Sequence, residues 1–368
     1  MQSYSDLNSI VIKNLTKKPK SVIIVLDAFG WNLFDKLKEK SSFIYKYINF
    51  AEPLESVFPS ATGAAIAAFN LNCKPSEHGV IDAKQYLPEI DQNIWTFNRQ
   101  NFITSKDLNS DDNAKVFFKH KTFWQELEDL GYASTLFLHK NLLKSIYNQE
   151  INLGAKTVPF ININEGLTLL KNKVLENNGV FYIYWDDIDV VSHEYGWNSE
   201  EVESIALATL VAVEHFVSQI DLSSTSILIF SDHGQTVVQP KNQIVLDEII
   251  PDFFDYLSKT KNGDLVLPSG SSREVFIKVQ DGKKNELIKL LNARLDKFAD
   301  VYDINTSFVS DWFPGSSDGF IKRLGDIAIF PKDDMGVWYT WNGKSKTRPG
   351  AHGGISKAER QALLININ

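Results

Sequence analysis

Three stretches of the chain are apolar with no alternation: Ser21-Val22-Ile23-Ile24-Val25-Leu26, Val180-Phe181-Tyr182-Ile183-Tyr184-Trp185 and Ser226-Ile227-Leu228-Ile229-Phe230. Short β-branched and aromatic runs without a polar face predict strands covered on both sides, the pattern of a parallel sheet between helical layers. Each run ends in acid: Asp27-Ala28-Phe29-Gly30, then Asp186-Asp187-Ile188-Asp189, then Ser231-Asp232-His233-Gly234. Between them, helical spacing predicts helices at 31–40, 122–130, 142–147 and a long amphipathic one at 199–220, with a strand at 134–138. Residues 80–121 mix Pro, Asn, Gln and aromatics with weak periodicity and are expected to form an excursion over the active face.

From 263 the texture changes. An alternating strand at 273–279, an amphipathic helix at 285–298 and a short strand at 301–304 make 265–305 a small α+β insertion, a cap or an interface. Core-like strand character returns at 326–330, followed by a polar, aromatic loop over 331–347. No internal repeat or low-complexity segment interrupts the pattern. The expected fold class is α/β: one large domain over 1–368, a mostly parallel sheet with helices on both faces, carrying that insertion.

Composition narrows the function. With 368 residues, 43% of them hydrophobic, the chain builds a large core. A formal net charge of -8 argues against stable nucleic-acid binding, although Lys and Arg still line pockets for anionic substrates. The single cysteine, Cys73, excludes an internal disulfide and fits a reducing compartment. Residues 1–20 lack a continuous apolar core, and no run of roughly 18 apolar residues occurs anywhere, so a cytoplasmic protein without a signal peptide or membrane anchor is expected.

The chemistry is expected to start at Phe58-Pro59-Ser60-Ala61-Thr62-Gly63. A small-residue run follows, Ala64-Ala65-Ile66-Ala67-Ala68-Phe69, which predicts a closely packed helix with Ser60 or Thr62 at its N-terminus. Unpaired N–H groups and the positive helix end there favour an anion, either a hydroxyl losing its proton or an arriving phosphate; the plainer role is an N-cap. Asp27, at a strand's carboxyl end, suits metal or phosphate work, or caps the next helix. Asp189 and His193 stand four apart, the spacing that lets two side chains on one helical face grip a cation. Asp232 and His233 are offered together at a strand terminus, and Gly234 lets the backbone turn. His352 sits among glycines in Pro349-Gly350-Ala351-His352-Gly353-Gly354. Three strands ending in Asp, two of those ends also supplying a His, point to a metal site.

Taken together, Asp27, Phe58-Pro59-Ser60-x-Thr62, Pro75-x-x-His78-Gly79, Asp189-x-x-x-His193-x-x-Gly196, Ser231-Asp232-His233-Gly234 and Ala351-His352-Gly353 span nearly the whole chain. In this order they resemble the alkaline phosphatase superfamily, and within it the nucleotide pyrophosphatase/phosphodiesterase group. The resemblance implies a three-layer sandwich and two divalent metal ions, usually zinc, with manganese or iron as alternatives. It assigns Asp27, Thr62, Asp232 and His233 to one metal and Asp189, His193 and His352 to the other. It makes Thr62 the nucleophile, attacking a phosphodiester or nucleotide pyrophosphate bond to give a phosphothreonine that water hydrolyses. Ser60 then has a turn role, and His78 anchors the turn after the nucleophile helix. The partner implied is a small phosphate ester, possibly a nucleotide.

Ala65 departs from the pattern, because phosphodiesterases of the group often carry Asn three residues after the nucleophile. Asn98, Arg99, Arg273 and Lys322 are candidates for the missing phosphate contact. The departure keeps a phosphomonoesterase or phosphonate hydrolase open, and behind these a mutase or an inactive metal-binding interaction protein. Cys73-Lys74-Pro75-Ser76-Glu77 resembles a sulfatase sequence only superficially, since Glu77 stands where Arg is required. Trp95, Phe97, Trp185, Trp197, Trp338 and Trp341 are candidates to stack on a nucleobase, with core packing expected for most of them.

Overall fold

The computed structural model describes residues 2–109, 111–112, 120–341, 343 and 348–367, with the Ile48 side chain left aside. The parts of the two predicted loops at 110, 113–119, 342 and 344–347 lie outside the described residues.

The unbroken apolar runs form adjacent parallel strands, Thr225–Phe230, Lys20–Leu26 and Gly179–Trp185. Ser134–His139 and Lys156–Phe160 extend the sheet on one side, again in parallel. Gln361–Ile367, Ala51–Glu55 and Gln2–Ser3 complete its eight strands on the other. Gln361–Ile367 is antiparallel to both of its neighbours.

Alternate residues of each central strand enter opposite cores. Val22, Ile24 and Leu26 join Ile183, Ile229 and the helices Ile163–Glu176 and Glu200–Val217 on one face. Ile23 and Val25 join Tyr182, Leu228 and the helices Leu7–Leu15, Thr62–Asn70 and Phe123–Asp129 on the other. The result is the helix–sheet–helix sandwich that double-sided burial of a parallel sheet requires. A second sheet, ordered Ser269–Gly270, Val275–Ile277, Ile327–Pro331, Ala299–Asp303, is packed by Lys284–Leu295.

The strand expected at 326–330 forms as Ile327–Pro331 and lies in the second sheet, between Val275–Ile277 and Ala299–Asp303. The structure adjusts other expectations. The short helix expected at 142–147 is Ile146–Ile151, because Ser145 caps it through Asn148 N–H. The excursion at 80–121 holds a three-stranded antiparallel sheet, Lys84–Leu87, Gln92–Trp95 and Gln100–Asn101, whose strands are too short and polar to show a period.

The helix Thr62–Asn70 is seated by Phe69, 1% exposed, whose ring meets Phe230 at 5.1 Å, Phe123 at 5.6 Å and Tyr182 at 6.1 Å. Phe69→Ala leaves a cavity there and is expected to cost about 3–5 kcal/mol of unfolding free energy. Urea denaturation of wild type and variant measures it.

Candidate metal centre and nucleophile

Parallel register brings the acidic strand ends level. Phe230 pairs with Val25 and Leu26 with Trp185, so Asp27, Asp232 and the turn into the helix Asp187–Tyr195 emerge side by side. Asp189 and His193 lie one turn apart on that helix, their side chains 3.3 Å apart (Oδ2 to Nε2). His352 follows the short strand Gly350–Ala351, which pairs with Thr236–Val237 just beyond His233. It therefore arrives at the same place from far along the chain.

Two groups of side chains could each hold a cation. Ligand atoms of Asp27, Asp232 and His233 lie within 4.8 Å of one another, as do those of Asp189, His233 and His352. His233 Nε2 is 3.5 Å from Asp27 Oδ1 and 3.3 Å from Asp232 Oδ2. His352 Nε2 is 3.7 Å from Asp189 Oδ1 and 3.3 Å from His193 Nε2, and its ring stacks on His233 with centroids 3.8 Å apart. His233 thus belongs to both groups, and His193 adjoins the second.

Each imidazole is fixed through its other nitrogen. Nδ1 of His193, His233 and His352 lies 2.8, 3.0 and 3.3 Å from the carbonyls of Gly350, Gly234 and Ser60. A carbonyl only accepts, so Nδ1 carries the proton and each Nε2 turns a lone pair into the site, as metal-ligating histidines do. The carboxylates are held similarly: Tyr184 donates to Asp27 Oδ2, the amides of Ala28 and His233 to Asp232 Oδ1, and Gln235 to Asp189 Oδ1. Asp27 Oδ1 and Asp232 Oδ2 remain buried with no hydrogen-bond partner. Buried carboxylate oxygens without donors are costly, and a divalent cation between them would satisfy both and suits this O/N donor set.

The electrostatics agree. Burial, then the Asp232 and Asp189 carboxylates, raise Asp27 far above the ordinary range, and burial pushes Asp232 up to about 6. Burial pushes His233 and His352 down to about 4. Burial also acts to raise Asp189, but His193, His352 and His233 outweigh it and hold that carboxylate below the usual range.

Thr62 opens the helix Thr62–Asn70, and its Oγ1 lies 3.0 Å from His233 Nε2. Ser60, fully buried, is committed elsewhere: its hydroxyl donates to Gly354 O and its amide to Gly353 O. All the predicted site residues therefore meet in one place. The candidates for an extra phosphate contact do not join them. Arg273 is fully buried in a two-pronged pair with Glu359, Arg99 is buried against Glu150, and Asn98 and Lys322 are exposed. Of the aromatics, Trp185 packs in the core, whereas Trp95 and Trp338 surround Lys84 Nζ at 5.0 and 5.3 Å from their ring centres. The sequence reading missed Tyr184 and Gln235. Tyr184 stands two residues before the acids on the same strand, and Gln235 two after His233, positions whose side chains point back toward the strand ends.

The sequence profile of the type I phosphodiesterase / nucleotide pyrophosphatase family matches residues 21–355. The chain belongs to this family. As a type I phosphodiesterase family member it is a phosphoric ester hydrolase. Human ectonucleotide pyrophosphatase/phosphodiesterase 5 shares the fold at 14% identity, with a TM-score of 0.72 over 94% of this chain and 87% of that one. An inactive threonine-to-alanine variant of the murine protein, in complex with AMP, matches with a TM-score of 0.70 over the same shares and the same identity. Phosphonoacetate hydrolase from Sinorhizobium meliloti 1021, in complex with phosphonoformate, matches at 0.69 and 14% identity over 96% of this chain and 91% of that one. A comparison with curated protein sequences finds no match. No helix among the described residues is long and apolar enough to cross a membrane.

His78 takes no part in the clusters. It is buried, its Nδ1 accepts from Val80 N–H at 3.1 Å, and burial pushes its pKa down to about 3. A histidine depressed on folding contributes stability that is complete above its unfolded pKa of about 6.5 and is lost as pH falls toward the folded value. His78→Gln is therefore expected to flatten the loss of stability between pH 6.5 and 3, read as urea midpoints across that range.

Proposed function

We propose that this phosphodiesterase family member cleaves phosphodiester or nucleotide pyrophosphate bonds through a phosphothreonine on Thr62, at a site for two divalent metal ions, zinc first among them. The observation that carries the reading is the 3.0 Å approach of Thr62 Oγ1 to Nε2 of His233, the imidazole common to both cation-binding groups. Asp27, Asp232, His233 and Thr62 would hold one ion, and Asp189, His193 and His352 the other. Ions bound there supply Lewis acidity and balance the charge that develops on the attacking and leaving oxygens.

The chain's own residues supply the rest. Thr62 gives up its proton to solvent water, Oγ1 attacks phosphorus in line, the bond to the leaving oxygen breaks, and that oxygen departs opposite Thr62, taking a proton from water. The first N–H groups of the helix Thr62–Asn70 offer the transferring group the positive end of the helix dipole. Water then attacks the phosphothreonine from the vacated side, releasing the phosphoryl product and restoring the hydroxyl. Tyr184, Gln235 and the three backbone carbonyls hold the carboxylates and imidazoles in place throughout, so the site needs little reorganisation during reaction. Murine ectonucleotide pyrophosphatase/phosphodiesterase 5, inactive as its threonine-to-alanine variant and seen with AMP, supports both the nucleophile and a nucleotide-like substrate.

A second reading, a phosphonate hydrolase or phosphomonoesterase on the same donors, is favoured by the buried Ala65 and by the likeness to phosphonoacetate hydrolase. Parallel assays with bis-p-nitrophenyl phosphate and p-nitrophenyl phosphate separate the two. The metal-loaded wild type is expected to prefer the diester. Thr62→Ala is expected to keep its metal and lose roughly 10³-fold or more in turnover. Removing metal with a chelator is expected to abolish activity, and zinc to restore it. Hydrolysis of neither ester by metal-loaded protein would overturn the phosphoesterase reading of the site and leave phosphonates or a binding role.

A further inference from the structure

The loop that carries His352 is gripped from two sides. On the nucleophile side, Ser60 donates from its amide to Gly353 O at 3.1 Å and from its hydroxyl to Gly354 O at 2.9 Å. On the other side stand residues 271–274 of the second sheet. Ser271 Oγ lies 2.6 Å from Glu274 Oε2 and 3.2 Å from His352 O, so one hydroxyl stands between the glutamate and the histidine's own backbone, with its single proton shared between the two acceptors. Glu274 also fills the space that a side chain on Gly353 would need: a Cβ there would sit 1.9 Å from Oε2, and Gly353 has φ +114°. The adjoining Arg273–Glu359 pair secures the next residue, since Glu359 Oε1 accepts from Gly354 N–H at 3.0 Å.

None of the catalytic roles above uses Glu274, yet it is fully buried and chemically unusual. Its Oε2 accepts from Ser271 Oγ, and burial, then the Asp82 carboxyl, itself 7% exposed, raise Glu274 well above the ordinary carboxyl range. Its side chain stands between the turn of the second sheet and the His352 loop, a place that a solvent-exposed glutamate could not fill.

We propose that Glu274, acting through Ser271 and its packing on Gly353, is a positioning residue for His352 that sets the cation affinity of the Asp189–His193–His352 half of the site. The inference rests on the reading of His352 as a metal ligand. Outer partners of ligating histidines fix ring orientation, and their loss characteristically weakens metal binding about 10–100-fold.

The test uses the full chain with zinc as the probe. Zinc content and affinity are measured by competition with a chromophoric chelator for wild type, Glu274→Ala, Glu274→Gln and Ser271→Ala, alongside thermal unfolding and turnover of bis-p-nitrophenyl phosphate. Wild type is expected to bind two zinc ions. In Glu274→Ala and Ser271→Ala one of the two binding events is expected to weaken about 10–100-fold while the other holds, with turnover recovered by excess zinc. Glu274→Gln, which keeps the shape and an acceptor oxygen for Ser271, is expected to stay close to wild type in both. Ser271→Ala removes a single hydroxyl and keeps the test decisive if Glu274→Ala does not fold. Two zinc sites of unchanged affinity in the folded variants, or equal weakening of both, would overturn the inference alone. A wild type that binds no zinc would overturn the metal reading and this inference with it.

Discussion

Three carboxylates, Asp27 and Asp232 buried and Asp189 half-buried beside them, brought within reach of one another set the terms for the rest of this molecule. Charges of one sign gathered away from water repel, and burial adds a penalty for each. The protein answers only part of that cost with its own groups. Asp189 has three imidazoles around it, but Asp27 and Asp232 each keep an oxygen without a donor. The cations proposed for the site answer the remainder, and the same charge that neutralises the acids serves a phosphoryl group arriving at Thr62.

Holding such an arrangement demands a stiff frame, and the architecture provides it in layers. Parallel register levels the strand ends, and the two cores hold the sheet from either face. Close backbone contact beneath the site depends on glycine: a Cβ on Gly30 would lie 2.5 Å from Gly234 Cα, so the turns after the first and third acidic strands can nest only without side chains. The antiparallel strand Gln361–Ile367 runs beside Thr225–Phe230 and brings Glu359 under the His352 loop. The second sheet, remote in appearance from the chemistry, reaches the site through Ser271, Arg273 and Glu274.

Much of this was legible in the chain itself. The three unbroken apolar runs announced the central strands, and the acids closing them announced the edge where ligands gather. His352, in a glycine-rich loop, could be joined to the site only through the family resemblance, because nothing local says where a loop folds back. What stayed hidden was set by tertiary context. Gln361–Ile367 has the composition of a strand but no acid to mark it, and Ala51–Glu55 contains Pro53, which argues against a strand until its position near the sheet edge is known. The strand Ile327–Pro331 is as apolar as the central ones, since a small sheet buried under a helix imposes the same pattern as a large one. Tyr184 and Gln235 act on the site through single hydrogen bonds, which leave no periodic trace in a sequence.

The central claim is that Thr62 forms a covalent phosphoryl intermediate at the paired clusters. The stereochemical course of hydrolysis of a chiral phosphorothioate diester tests it most directly, because each in-line displacement inverts phosphorus. Attack by Thr62 followed by attack of water predicts overall retention. Inversion would mean that water attacks the substrate directly, and would contradict the account.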